Sequence, residues 1–169
     1  MTLDRLWAGW RARYVSELGG SPDVQCFLCA LCALPDDAAF SSATLIVERT
    51  ETTVTVMNLY PYGSGHLLVA PCRHVAELED LSEAEATAVM EATRRAVRAV
   101  KQAYSPDGVN VGLNLGAAAG AGVPGHLHVH ALPRWQGDTN FMTSVAEVRV
   151  LPEDLATGWA KLRAAWPQG

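Results

Sequence analysis

Apolar side chains recur at helical spacing towards both ends of this chain, with polar positions between them. Residues 2–18 form the first such stretch, whose apolar members are Leu3, Leu6, Trp7, Trp10, Tyr14 and Leu18. Residues 152–165 form the second, whose apolar members are Leu155, Trp159 and Leu162. Spacings of three and four residues place such side chains on one side of a helix. Both stretches are therefore predicted to be amphipathic helices.

A longer helix is predicted in the middle of the chain. It opens with Ser82, and Glu85 three residues later completes the pattern of a capping box. The predicted buried stripe contains Ala86, Val89, Met90, Thr93, Val97, Val100 and Tyr104. The turn sequence SPDG, residues 105–108, is expected to end this helix.

Shorter segments on either side of this helix have the patterns of strands. ATLIVER and TTVTVMNLY predict a hairpin, and GHLLVAP predicts a third strand that ends at Pro71. After the helix, VNVGLNLG alternates between apolar and polar residues. A turn is expected at QCFLCALC, followed by an acidic loop around Asp36 and Asp37. This order of elements predicts an α+β fold with a largely antiparallel sheet.

The composition is typical of a globular protein, because 49% of the 169 residues are hydrophobic and 18% are charged. One domain, residues 1–169, is expected from this length. The net charge of -5 offers no positive field to nucleic acid, and no apolar run reaches transmembrane length. The charged opening MTLDRLWAGWRARY lacks the apolar core of a signal peptide. A cytoplasmic protein without nucleic-acid or membrane partners is therefore expected.

Three of the five histidines stand at every second position, in the segment HLHVHAL. On a strand, His126, His128 and His130 would share one face, with Leu127 and Val129 packed behind them. Imidazole is a nucleophile and a metal ligand near neutral pH. The preceding loop GAAAGAGVPG could offer backbone N–H groups to a phosphate. The row therefore indicates a histidine nucleophile acting on phosphorus, a metal site of the His-x-His type, or a solvated strand face.

HLHVHAL also matches the His-φ-His-φ-His-φ-φ signature of the histidine triad (HIT) superfamily of nucleotide hydrolases and transferases. NLYPYGSGHLLVAP, AELEDL, GVNVGLNLG and HLHVHALPRWQGDTNF resemble the bacterial diadenosine tetraphosphate phosphorylase branch, and the likeness spans residues 45–143. The resemblance implies a homodimer of HIT-like folds, each with a five-stranded, mainly antiparallel sheet, a long helix packed on it and extra terminal helices. It divides the chain into an N-terminal helix and zinc-binding segment (1–40), a HIT core (41–143) and a C-terminal helix (144–169).

The resemblance assigns catalytic roles to three histidines. It implies that His128 is the nucleophile that forms a nucleotidyl-enzyme. It implies that His130 contacts the α-phosphate and assists proton transfer. His66 resembles the family's supporting histidine, and a structural histidine whose hydrogen bonds are satisfied is the alternative reading of it.

Four further positions match substrate-binding places of the family. Asn58 matches a residue that contacts the ribose, and Asn114 lies where the family places a polar side chain near the phosphate. Trp135 follows Pro-Arg as in the phosphorylase branch, where an aromatic residue lies near the substrate; core packing or a dimer surface is the alternative. Phosphorylase relatives carry Gly-Ser where this chain has Ala121-Gly122. Gly122 is therefore expected to bind phosphate through its backbone alone, which leaves the acceptor open.

Cys26 and Cys29 have the spacing of zinc ligands, although a single CxxC also fits unpaired structural thiols. The resemblance to zinc-containing HIT proteins, and to galactose-1-phosphate uridylyltransferases, implies that His74 and His126 complete the set. Two thiolates and two imidazoles close a tetrahedron, so this Zn²⁺ would be structural. Cys32 competes for the site, because Cys29 and Cys32 have the same spacing.

Together the residues and the resemblance predict an enzyme that cleaves nucleoside polyphosphates, such as diadenosine tetraphosphate, through a histidine nucleotidyl-enzyme. Phosphorolysis and hydrolysis both remain open. One alternative is a nucleotidylyltransferase with another acceptor, such as a sugar phosphate. The other is a non-catalytic, zinc-stabilised nucleotide-binding protein, which would have no need of a nucleophile at the middle histidine.

Overall fold

The computed structural model describes residues 26–138 and 153–167. Its helices are α1 (Phe27–Cys32), α2 (Asp36–Ala39), α3 (Glu83–Tyr104) and α4 (Leu155–Ala164). Its strands are β1 (Ile46–Arg49), β2 (Thr53–Met57), β3 (Leu67–Pro71), β4 (Gly108–Leu113) and β5 (Val129–Arg134). The helix predicted at residues 2–18 lies outside the described residues. Within them, no helix is both long enough and apolar enough to cross a membrane.

The five strands form one sheet in the order β1-β2-β3-β5-β4, and every neighbouring pair is antiparallel. The predicted hairpin is therefore confirmed as β1 and β2. β5 lies between β3 and β4, with Leu68 opposite His130 on one side and Gly112 opposite His130 on the other. This arrangement places the histidine segment in the interior of the sheet, beside the strand that follows His66.

The long helix α3 packs against β3 and β5. The predicted capping box is present, because the Ser82 hydroxyl accepts from the Glu85 N–H and the Glu85 carboxylate accepts from the Ser82 N–H. The predicted stripe is partly wrong: Ala86 is exposed, and Met90 is 60% exposed. The buried face contains Val89, Ala92, Thr93, Ala96, Ala99 and Val100. The predicted stripe omits Ala92, Ala96 and Ala99, whose small side chains allow the helix to approach the sheet closely.

Two predicted loops near the cysteines are helical. QCFLCALC contains helix α1, which buries Leu28 completely, and the acidic segment contains the single turn α2. The fully buried Leu28 anchors α1 in the core, so tertiary packing stabilises a helix that is too short to be stable alone.

The C-terminal helix α4 lies along the edge strand β1. The Trp159 indole donates to the Ile46 carbonyl at 2.8 Å, and Arg163 donates to the Val47 carbonyl at 2.7 Å. The Trp166 indole donates to the Glu48 carboxylate of the same strand. Three side chains of the C-terminal segment therefore bond to consecutive residues of β1.

Candidate active site

The histidine segment crosses the start of β5 instead of lying wholly within it. His126 and His128 precede the strand, and His130 is its second residue. Leu127 and Val129 are buried in the core, as the alternation predicts. His126 and His128 are also buried, with 1% and 6% of their surfaces exposed. The row is therefore an interior array of imidazoles, and a solvated strand face is excluded.

The hydrogen bond of His128 determines which of its ring nitrogens carries the proton. Its Nδ1 lies 2.8 Å from the carbonyl oxygen of His126, which can only accept. The proton of the neutral ring is therefore on Nδ1, and the lone pair is on Nε2. Burial is the main cause that lowers the pKa of His128. The ring is thus held neutral, in the tautomer that a nucleophile needs.

His66 and His130 are joined by a hydrogen bond of 2.9 Å between Nε2 of His66 and Nδ1 of His130. The backbone N–H of Tyr62 donates to Nδ1 of His66 at 3.1 Å. Because Nδ1 accepts, the proton of His66 is on Nε2 and is donated to His130. Neutral His130 consequently carries its own proton on Nε2, and the Asn114 side chain, 3.4 Å away, must then turn its amide oxygen, and not its NH2 group, towards that nitrogen. The hydrogen bonds of the fold thus fix the tautomers of both rings.

Tyr62 is a site residue that the sequence did not reveal. Besides its backbone bond to His66, its ring stacks on His130 with 5.7 Å between centroids and 16° between planes. The available signal was its place in the turn YGSGH, four residues before His66. Nothing in that spacing shows that the turn folds back and directs the Tyr62 N–H at the ring.

Of the four predicted substrate residues, the structure brings two to these histidines. The Asn58 amide lies 3.2 Å from Nδ1 of His66, and the Asn114 amide lies 3.4 Å from Nε2 of His130. Trp135 lies edge-on to Tyr104, with 6.2 Å between ring centroids, and Gly122 lies in the loop before the histidine segment. Among the described contacts, none joins Trp135 or Gly122 to the histidine cluster.

The four predicted metal ligands lie together. The ligand atoms of Cys26, Cys29, His74 and His126 are all within 4.8 Å of one another. The Nδ1 of His126 lies 3.1 and 3.5 Å from the two thiols, and Nδ1 of His74 lies 3.3 Å from that of Cys29. Ligands around a tetrahedral zinc ion are separated by roughly 3.5 Å, given bonds of about 2.0–2.3 Å. The cluster therefore has the donors and the spacing of a metal site.

His126 is oriented for ligation by its other nitrogen. Its Nε2–H donates to the Pro71 carbonyl at 2.8 Å, which leaves the lone pair of Nδ1 directed at the thiols. Such a second hydrogen bond commonly fixes the tautomer of a metal-binding histidine. Burial is the main cause that lowers the pKa of His126, and a ligating ring must be neutral.

Cys32, the predicted competitor for this site, is not among the four clustered ligands. The cluster contains Cys26 instead. Cys26 immediately precedes α1, and Cys29 lies one turn into it, so the two thiols reach the same point.

The sequence of this chain is similar to those of several known proteins. A family model described as the HIT domain matches residues 40–137. The AP-4-A phosphorylase of Mycobacterium tuberculosis is 40% identical over 167 residues, which are 94% of this chain and 86% of that protein. The asymmetrical bis(5'-nucleosyl)-tetraphosphatase of Schizosaccharomyces pombe is 34% identical over 99 residues, 59% of this chain and 54% of that one.

A solved structure shows a similar fold. The Zn-bound histidine triad family protein of Mycobacterium smegmatis superposes with a TM-score of 0.65 at 26% sequence identity. The superposition covers 83% of this chain and 92% of that protein.

Proposed function

This chain belongs to the histidine triad (HIT) family, and from that premise we propose that it cleaves dinucleoside polyphosphates such as diadenosine tetraphosphate. The observation that carries the proposal is the buried, neutral His128, whose proton is on Nδ1 and whose lone pair is on Nε2. A pure nucleotide-binding protein would not need that arrangement. The name of the 40% identical relative, AP-4-A phosphorylase, supports the same substrate.

The proposed reaction has two steps at one phosphorus atom. Nε2 of His128 attacks the α-phosphorus of diadenosine tetraphosphate, and the bond from that phosphorus to the bridging oxygen breaks, so ATP leaves. An oxygen of inorganic phosphate then attacks the same phosphorus, and the phosphorus–nitrogen bond breaks. ADP leaves, and His128 returns to its starting form. With water as the acceptor, the second product is AMP.

The neighbouring residues have supporting roles in this proposal. His130, with its proton on Nε2, would donate to an oxygen of the α-phosphate. The hydrogen bond from His66 orients His130 and keeps the proton of His130 on Nε2. Because Nδ1 of His66 already accepts from the Tyr62 N–H, the proposal does not require His66 to exchange a proton. Asn114 would contact the same phosphate. For Asn58, ribose binding remains a prediction, and its Oδ1 also accepts from the Tyr60 N–H.

The products of the reaction identify the acceptor of the second step. We expect phosphate to accelerate cleavage of diadenosine tetraphosphate and to yield ADP with ATP, at a high phosphate requirement. The requirement is high because Gly122 lacks the hydroxyl of phosphorylase relatives, and one hydrogen bond to a charged oxygen contributes roughly 1.5–3 kcal/mol. Chromatography of the products over a range of phosphate concentrations tests this.

Gly122→Ser should lower the phosphate concentration needed for half-maximal rate by about ten-fold or more. Ala119→Ser, in the same loop at an exposed position that already carries a Cβ, is the matched control and should not. AMP at every phosphate concentration would instead identify a hydrolase. Turnover only when a sugar phosphate is added would identify a nucleotidylyltransferase.

We propose that Cys26, Cys29, His74 and His126 hold one structural Zn²⁺ per chain. The ion would tie α1 to the histidine segment and orient His126 by ligation. Elemental analysis of protein purified without added metal should find zinc, and chelation should lower the melting temperature. Cys29→Ser should lose the zinc and Cys32→Ser should keep it. Less than about 0.2 zinc per chain, with no thermal shift on chelation, would contradict the proposal.

We further propose that the protein is a cytoplasmic homodimer that pairs through β4. β4 is an edge strand, and Val111 and Leu113 on it are 50% and 38% exposed. Leu115, just beyond the strand, is 40% exposed. The opposite edge, β1, is covered by α4. An uncovered apolar edge strand favours pairing with a second copy of the same strand.

A further inference from the structure

The ring of Tyr62 lies against both imidazoles of the His66–His130 pair. Its centroid is 5.7 Å from that of His130, with 16° between the planes, and 4.6 Å from that of His66, with 40° between the planes. A nearly parallel pair at the first of these separations is offset-stacked, an arrangement that aromatic rings favour. One face of His130 therefore lies against Tyr62.

The turn between β2 and β3 holds Tyr62 in this place by two contacts. The backbone N–H of Tyr62 donates to Nδ1 of His66 at 3.1 Å. A Cβ at the next residue, Gly63, would lie 3.5 Å from Cδ1 of Leu132, so the turn passes over β5. Leu132 is two residues after His130 on that strand and shares its face of the sheet. The turn therefore crosses the face of β5 that bears His130.

The hydrogen bond to His130 does not by itself fix the plane of its ring. The bond from Nε2 of His66, 2.9 Å long, fixes the direction of Nδ1 but permits the ring to tilt about that direction. The χ2 torsion of histidine has broad minima and resists such a tilt only weakly. Among the described ring contacts of His130, those with His66 and His128 are inclined at 32° and 61°, and the one with Tyr62 is the nearest to parallel. A parallel neighbour in contact resists tilting, so the Tyr62 ring is the group that fixes the plane.

We propose that Tyr62 is a positioning residue: its ring fixes the plane of His130 and thereby aims the Nε2–H of His130 at the α-phosphate. The inference rests on the proposed function, in which that N–H donates to a phosphate oxygen. A hydrogen bond weakens as its angle departs from linear, so a tilted ring donates less well. Tyr62 thus acts on both rings of the pair, with its backbone on the tautomer of His66 and with its side chain on the orientation of His130.

The kinetic test compares Tyr62→Leu with Tyr62→Phe. Leucine keeps an apolar side chain but has no flat face, so kcat for diadenosine tetraphosphate should fall by about three- to ten-fold, the contribution of one aromatic pair. KM should change by less than about two-fold, because the lost contact serves the transition state and not substrate binding. Phenylalanine keeps the flat face and should restore most of the lost kcat.

A second measurement needs no turnover, and it therefore separates failure of this inference from failure of the proposed function. NMR of protein with isotopically labelled histidine measures how fast the Nε2 proton of His66, which is donated to His130, exchanges with solvent. Tyr62→Leu should speed that exchange by about three-fold or more, because His130 is then free to tilt away from the proton. Tyr60→Leu is the matched control: the same change at a residue that is 57% exposed in the same turn should leave the exchange rate unchanged.

Wild-type kcat and wild-type proton exchange in Tyr62→Leu would overturn the inference. So would a rise in KM alone, since the ring would then bind the substrate directly, or a loss of kcat without faster exchange. A loss that Tyr62→Phe does not restore would assign the effect to the hydroxyl and would also overturn it. Thermal melting confirms that each variant is folded at the assay temperature; should Tyr62→Leu be unfolded there, Tyr62→Met decides the same point.

Discussion

At the scale of single residues, hydrogen-bond partners determine what each imidazole can do. His128 donates from Nδ1 to a backbone carbonyl, whereas His66 accepts at Nδ1 from a backbone N–H. Two rings of the same type, both buried, are therefore held in opposite tautomers. The first presents a lone pair at Nε2, and the second presents a proton there.

We predict that His128→Asn abolishes turnover of diadenosine tetraphosphate, with a loss of roughly a thousand-fold or more, because the attacking lone pair is removed. Binding of AMP, measured by calorimetry, should change by less than about ten-fold, since the loop and Asn58 remain. Leu59→Asn, at an exposed position beside the site, is the control and should retain turnover. Near-normal activity of His128→Asn would disprove the nucleotidyl-enzyme mechanism.

The sequence could predict which residue types gather here, but not their protonation. The alternation of HLHVHAL predicted that Leu127 and Val129 are buried, and the structure confirms it. The tautomer of His66 depends on Tyr62, whose relevant group is a backbone N–H that every residue but proline possesses. A contact made by a backbone N–H does not restrict which residue type occupies the position, so the sequence does not predict it.

At the scale of elements, the turn between β2 and β3 positions His66. Gly65, directly before that histidine, has φ of 72°, and a Cβ there would lie 2.6 Å from the Tyr104 ring at the end of α3. The ring is held in turn by a 2.6 Å hydrogen bond from its hydroxyl to Glu153, just before α4. The turn, α3 and the start of α4 thus meet next to the histidine.

Gly65→Ala is predicted to destabilise the protein and to reduce turnover, because it shifts the turn that holds His66. A left-handed φ alone costs a residue with a Cβ about 1–2 kcal/mol, and the contact with Tyr104 adds to it. Gly63→Ala is the matched control, since its Cβ would meet only Leu132 at an ordinary 3.5 Å. Denaturant unfolding and turnover should separate the two variants; equal effects would contradict this account of the turn.

The start of α3 provides a pH-dependent prediction. Arg73 forms a two-point ion pair with Glu85 at 2.6 and 2.8 Å, and this pair, with hydrogen bonds from Ser82, lowers the pKa of Glu85 to about 2. The carboxylate therefore stabilises the fold above its usual pKa, and that stabilisation is lost as the pH falls towards 2. The melting temperature of Glu85→Gln should lie below that of the wild type at pH 7, and the gap should narrow below about pH 4.5.

Glu83→Gln, in the same first turn, is the control for this effect and should show a smaller gap at pH 7. A gap for Glu85→Gln that stays constant down to pH 3 would show that the charge of Glu85 contributes nothing.

Elements with strong local signals were the ones that the sequence predicted well. The hairpin and the capping box depend on neighbouring residues, and both are confirmed. The buried face of α3 was predicted less well. The small side chains of Ala92 and Ala96 are buried against the sheet, whereas the larger Met90 is exposed to solvent. The size of the side chain that fits at a contact depends on the element packed against it. Helical spacing carries no information about that element.

At the scale of the whole molecule, the two edges of the sheet differ. Side chains of α4 donate hydrogen bonds to backbone carbonyls of β1, whereas β4 exposes Val111 and Leu113. The sequence showed the alternation of β4, but the position of β4 at an edge depends on β5 entering between β3 and β4. That long-range pairing has no local signature in the chain.

We predict that Leu113→Asp converts a homodimer to a monomer, because a charge on the pairing strand would have to be desolvated in the interface. Light scattering at micromolar concentration measures the change. Met90→Asp places the same charge on the exposed outer surface of α3 and should leave the mass unchanged. A wild-type monomer, or a Leu113→Asp dimer, would contradict pairing through β4.

The cover on β1 has a consequence for the size of any assembly. A sheet open at both edges can add copies without end, as fibrils do. Here, two protomers joined at β4 would make one continuous sheet with a β1 at each end, and each β1 already has Trp159 and Arg163 bonded to its carbonyls. Growth would stop at two copies. Helix α4 would thus limit the assembly to two copies. Trp159→Ala together with Arg163→Ala would expose the edge of β1, through which longer polymers could form.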